Sequence, residues 1–176
     1  MILKYKKFYR DYLDLRNEVD SLSERLSQEH SKHMQCRAGC DLCCMDYSIF
    51  PVEFYSILNK LKIETIQPKV NGNASKEQCI FLNKHQCTIY NERPVICRTH
   101  GLPLLYMNEI NEWELSACEL NFTEFDMEQF NEENTFPQDT FNSKVFMLNK
   151  EFIKEFAEVK YNEFDLIPVK NLIDYL

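Results

Sequence analysis

Residues 36 to 44 read CRAGCDLCC, four cysteines within nine positions. Thiols packed this closely answer to one of three chemistries: a disulfide framework, a redox-active pair or a metal site. Zinc holds thiolate sulfur at about 2.3 Å, which puts tetrahedral ligand sulfurs about 3.8 Å apart, and a Cys-x2-Cys turn such as Cys40 to Cys43 reaches that separation. Cys36 and Cys40, four positions apart, share a face if the stretch coils helically. Cys43 and Cys44 are adjacent, so their side chains diverge in a helix or a strand. One of them therefore serves a second metal, bridges two metals, or stands free as a redox thiol.

Working outward, the remaining cysteines are Cys79, Cys87, Cys97 and Cys118, so all eight fall between residues 36 and 118. Eight thiols match two four-coordinate sites, or one cluster with spare ligands. Cys118 stands alone, without a second cysteine near it in the chain. His100, three residues past Cys97, joins the candidate ligands as a neutral imidazole. Arg93 and Arg98 flank Cys97, where a guanidinium offsets thiolate charge and donates hydrogen bonds to sulfur; the competing assignment is an ion pair with Glu92 or Glu53. His30, His33 and His85 read as solvated or capping histidines.

Context selects among the three chemistries. The N-terminal stretch MILKYKKFYRDYLDLRNEVD carries charge from Lys4 onward and has no uninterrupted apolar run, so neither a signal peptide nor a membrane span is expected. A cytoplasmic location follows as the default, and in a reducing compartment clustered cysteines serve metals or redox chemistry more often than disulfides. The formal net charge is −8, and thiolate-bound divalent metal makes it more negative, which argues against a nucleic-acid partner. Three glycines in the chain, with neither GxGxxG nor GxxxxGK[ST], argue against a phosphate-binding loop. A thiol oxidoreductase of the usual kind is disfavoured by the lack of a βαβ pattern around a CxxC.

At 176 residues the chain fits one domain with a real core, supplied by 13 Phe and 9 Tyr. Phe8, Tyr12, Leu15, Val19, Leu22 and Leu26 recur every three or four positions, the stripe of a long amphipathic helix too short to require a coiled coil. Pro51 opens a helix through Leu61. Residues 69 to 78 read as a polar loop, 79 to 90 as a small hairpin, 91 to 101 as a turn with one helical turn, and 104 to 118 as a second hairpin. Beyond Cys118 the chain reads as helical and acidic. Thr123 and Asp126 resemble a capping box before a short helix around Phe125 and Phe130. A longer helix is marked by Val145, Leu148, Phe152, Phe156 and Val159, and Pro168 opens a last short one ending at Tyr175. The expected fold is mainly α with small β-hairpins. It forms a single domain, 1–176, built around a metal-binding cysteine cluster: an N-terminal helix in 1–35, the cysteine-rich region in 36–120, and C-terminal helices in 121–176.

The motif C-x2-G-C-x2-C-C at 36–44, the Cys-x-Phe-Leu element at 79–82, and CTIYNERPVICR at 87–98 together resemble the YkgJ-like cysteine-cluster family, a zinc- or iron-chelating CxxCxxCC domain. The resemblance covers about residues 36 to 120, and its RPxxCR element carries Arg93, Pro94, Cys97 and Arg98. Many relatives have Pro after the first cysteine of the third block, where this chain has Ile80. The resemblance implies metal chelation, with Zn²⁺ or Fe as the cofactor and an iron–sulfur cluster as the further form. Flagellin lysine methylases are similar across the same blocks, which implies an iron–sulfur enzyme using S-adenosylmethionine. Against that, the short chain leaves no obvious second domain for a protein substrate. A hydrolase with metal-bound water, using His100 or Glu53 as base, also stays open, so catalysis is left undecided.

Overall fold

A computed structural model of the chain describes residues 4–176. The first three residues of the expected N-terminal helical region lie outside the described residues. Helix α1 (Lys6–Glu29) buries Phe8, Tyr12, Leu15, Val19 and Leu26, the stripe expected from periodicity. On its last turns Ser23 takes the buried position, and Leu22 is only half-buried.

Helix α2 (Pro51–Ile63) begins on Pro51, where the missing N–H costs nothing. It buries Val52, Phe54, Tyr55, Ile57, Leu58 and Leu61, which is apolar surface all round rather than one stripe. A helix of that kind belongs in the centre, and α2 packs against both α1 and α4 (Gln138–Glu155). Phe50 provides no side-chain cap. The Val52 N–H instead donates to Oδ1 of Asn149 on α4 (3.2 Å), a fully buried side chain. Glu53, in the first turn of α2, is buried too. It accepts from the Tyr12 hydroxyl at 3.0 Å and from the Val95 N–H at 3.1 Å, and so joins α1 and α2 to helix α3 (Val95–Thr99). Burial raises its pKa, and the two hydrogen bonds oppose the rise.

The strands are short. β1 (Ser48–Ile49) pairs antiparallel with β7 (Ile167–Pro168), and β2 (Leu82–Asn83) with β3 (Gln86–Cys87), the hairpin expected at 79–90. β4 (Leu104–Met107) pairs antiparallel with β5 (Trp113–Ser116), the second expected hairpin. β6 (Phe136–Pro137) adds to β4 in parallel, a strand that two residues of sequence do not announce. One core cluster runs from Tyr5 to Leu172 and draws on all four helices. It includes a knot of rings in which Phe152 and Phe156 meet Tyr5 and Tyr55 at centroid distances of 4.4 to 6.1 Å. Among the described residues no helix is long and apolar enough to cross a membrane.

Four expectations need correction. The stretch from 119 to 135 is not helical: it holds only a three-residue 3-10 turn, Met127–Gln129. Phe122 adopts a left-handed φ of 59°, which no helix accommodates, and Asn131 accepts from the N–H groups of Glu133 and Asn134, so side chains compete for the backbone. Thr123 forms no capping box; Asp126 is itself the cap, accepting from the Glu128 N–H at 3.1 Å. Helix α4 stops at Glu155, leaving Phe156 as its C-cap and Val159 outside and exposed. Tyr5 holds that exit: its hydroxyl donates to Glu158 at 2.5 Å and accepts from the Ala157 N–H at 3.3 Å. The last segment, Val169–Tyr175, is 3-10 rather than α.

Candidate metal centre

CRAGCDLCC folds as two successive tight turns, not as a helix. The Cys40 N–H donates to the Arg37 carbonyl (3.0 Å) and the Cys44 N–H to the Asp41 carbonyl (2.9 Å). The first turn needs a left-handed residue at its third position, and Gly39 supplies it with φ of +92°. Immediately after, the chain lies against residues 77 to 79. The Asp46 N–H donates to Glu77 O (2.8 Å), Met45 and Gln78 form a bridge, and the Cys79 N–H donates to Cys44 O (3.1 Å). Cys44 and Cys79 are thereby locked side by side. The β2–β3 hairpin returns the chain, setting Cys87 opposite Leu82. Cys97 sits on α3, whose first N–H is held by Glu53.

Cys118 arrives from the other side. A tight turn beyond β5, with the Asn121 N–H on Cys118 O (2.8 Å), carries the chain to Asn121, whose Nδ2 donates to the Cys36 sulfur at 3.4 Å. The last cysteine is thus brought to the first. Electrostatics draws the same division. The Cys36 thiol is pushed up by desolvation and by the thiols of Cys118, Cys40 and Cys43, with the Asn121 hydrogen bond opposing. Cys97 is pushed up to about 12, chiefly by burial and then by Cys79 and Cys87. Burial likewise raises Cys79 and Cys87. Between the two groups sit Cys43 and Cys44. Cys44 donates to Cys43, which lowers Cys43 to about 6 and raises Cys44, whose other thiol neighbours are Cys87 and Cys79. Two neighbourhoods emerge: Cys36, Cys40 and Cys118 on one side, and Cys44, Cys79, Cys87 and Cys97 on the other, with Cys43 between them.

All eight cysteines are free, Cys36 and Cys43 exposed and the others half-buried. Among the described residues no three His, Cys, Asp or Glu side chains stand close enough to share one metal ion as placed. The thiols are gathered without being closed. The donor set nonetheless fits a soft or borderline metal, being rich in sulfur with a cation and an unpartnered imidazole beside it.

The arginines part company. Arg98 is buried and spends its guanidinium on Asp20 (2.6 Å), Arg93 O (2.8 Å) and Asn91 O (2.6 Å), which fastens α3 to α1. Arg93 stacks on the Tyr90 ring with 3.8 Å to its centroid, and its charge favours the thiolate forms of Cys43, Cys87 and Cys97. The Arg93 Nε is buried without a hydrogen-bond partner among the described residues, and so is Nε2 of His100. His100 faces the Tyr47 ring at 5.1 Å, and burial, then Arg93, lowers its pKa toward the neutral imidazole. Tyr47 is itself raised to about 12 by burial and by Cys97, Cys43 and Cys44. The other histidines work elsewhere. His30 is buried on Asn134 O (2.7 Å) within a ring of Phe122, Phe125 and Phe130; His33 packs on Phe125, and His85 pairs with Asp41 (2.8 Å).

Asn121, Tyr47 and Gly101 touch the cluster without any signal in the sequence. Asn121 lies 85 residues from Cys36, and nothing local in CELNFTE or in the run around Tyr47 points to the cysteines. No curated protein and no solved structure matches the chain. Residues 35–119 do match the model of one family, CxxCxxCC, described as "Putative zinc- or iron-chelating domain", and the match begins one residue before Cys36 and ends one residue after Cys118. This stretch of the chain is a CxxCxxCC domain.

Proposed function

We propose that the chain binds zinc or iron through the thiolates of residues 36–118, in the two neighbourhoods that the fold assembles. Cys36, Cys40 and Cys118, with Cys43, form one ligand set; Cys44, Cys79, Cys87 and Cys97 form the other. The observation that carries this reading is the match of residues 35–119 to a zinc- or iron-chelating family, and it is supported by eight free thiols whose charges act on one another across five separate segments. His100 is the reserve ligand, since its buried Nε2 has no hydrogen-bond partner among the described residues. Arg93 offsets the charge of the assembled thiolates, and Arg98 supports the site by anchoring α3 to α1. The metal supplies cross-linking of loops that carry little secondary structure of their own. An all-thiolate set suits zinc and also an iron–sulfur cluster. The whole chain acts as one folding unit, and its eight free thiols suit the reducing cytoplasm.

The test is anaerobic purification followed by elemental analysis and a visible spectrum. Tightly held zinc, or iron with equimolar sulfide and a brown colour, supports the proposal and distinguishes its two forms. Less than about a tenth of an equivalent of every transition metal, in protein never exposed to chelator, defeats it.

A further inference from the structure

We propose that Asn121 is a positioning residue for the Cys36 neighbourhood, holding the Cys36 sulfur and donating a hydrogen bond to it as a thiolate ligand. The inference rests on the metal-binding reading above and deepens it. Asn121 lies two residues beyond the matched domain, so the family pattern does not assign it. Its side chain is buried. Oδ1 accepts from the Gln35 N–H at 2.7 Å, and Nδ2 donates to Gly101 O at 2.7 Å. A backbone donor on one side and a backbone carbonyl on the other fix which way the amide points. The Nδ2 group is therefore the one that faces the Cys36 sulfur, at 3.4 Å. Its own N–H binds Cys118 O at 2.8 Å. One residue thus clasps the peptide before Cys36, the Cys36 sulfur and the turn that delivers Cys118.

Gly101 lies beside the Asn121 amide, against the same sulfur. Its φ of +90° suits glycine, and a Cβ there would collide with the Cys36 sulfur and stand 3.3 Å from the Asn121 Nδ2. The sulfur of this exposed cysteine rests against an amide donor and a bare backbone. An N–H donor on a metal thiolate stabilises its charge and fixes its direction, and loss of such an outer contact costs about 10- to 100-fold in metal affinity.

The test is a double-mutant cycle with cadmium, followed by the thiolate charge-transfer band and read on the titration step that Cys36→Ser weakens. Asn121→Ala is expected to weaken that step about 10- to 100-fold in the otherwise native chain. In the Cys36→Ser background it is expected to add nothing, because its effect runs through that sulfur. An equal loss in both backgrounds, or no loss in either, overturns the inference. If Asn121→Ala does not fold, the decision passes to the native protein loaded with ¹¹³Cd. The Asn121 side-chain amide is expected to shift and to couple to the metal, and an amide indifferent to cadmium overturns the inference. A native chain that takes up no cadmium at all is the distinct failure of the metal-binding proposal itself.

Discussion

Loading metal into the second neighbourhood should expel protons in number. Cys79, Cys87 and Cys97 are raised by burial, Cys97 to about 12, and Cys44 is raised because it donates to Cys43. Near pH 7 all four are thiols, yet each must be a thiolate to ligate. Binding at that set therefore releases about four protons, and affinity rises about 10⁴-fold per pH unit around neutrality, or about 5 kcal/mol. Cys43, lowered to about 6, is already ionised and releases almost none when it ligates. Calorimetric titration in buffers of different ionisation enthalpy counts these protons directly. Release of one proton or fewer per metal, or an affinity change below about tenfold between pH 6 and pH 7, would refute the reasoning. The sign reverses for stability without metal. Folded thiol pKa values above the unfolded 9.0 stabilise the fold at lower pH, and that contribution is lost as pH rises from about 9 toward 12.

Chelation should loosen the middle of the chain first. Structural zinc is worth on the order of 10 kcal/mol in small domains, so hydrogen exchange should show protection lost across 36–118 and better kept in α1 and α4; uniform retention would mean the metal is not structural. Cys118→Ser should cost the same metal as Cys36→Ser, because Asn121 brings the two together, despite the isolation of Cys118 in sequence; unchanged stoichiometry in Cys118→Ser would count against the pairing. Glu92→Ala should destabilise the fold by about 3–5 kcal/mol in urea melts, since it strands the largely covered Arg16 guanidinium now paired with the buried Glu92 at 2.5 Å. A loss under about 1 kcal/mol would place that pair among ordinary surface bridges.

The long helices were legible because burial imposes a period: Phe8 through Leu26 and Val145 through Phe152 mark faces that the core does bury. The strap from 119 to 135 was not. Its phenylalanines are spaced plausibly for a helix, but they converge on one imidazole, His30, and a left-handed Phe122 turns the chain to reach it. The spacing of the cysteines is enough to point to a candidate metal site. Their partition depends on which distant segments meet, and the Cys44–Cys79 backbone bond and the Asn121 clasp on Cys36 leave no local trace. The two arginines beside Cys97 looked equivalent in sequence. Only the placement of Asp20 on α1 decides that Arg98 turns away and Arg93 stays with the thiols.

X-ray absorption at the edge of the bound metal tests the central claim most directly. The account predicts a first shell dominated by sulfur, at about 2.3 Å for zinc. Ser substitution at Cys44 or Cys79 should replace part of that shell with a lighter scatterer. A native shell made of oxygen or nitrogen, with little sulfur, would show that the clustered thiols do not hold the metal and would contradict the account.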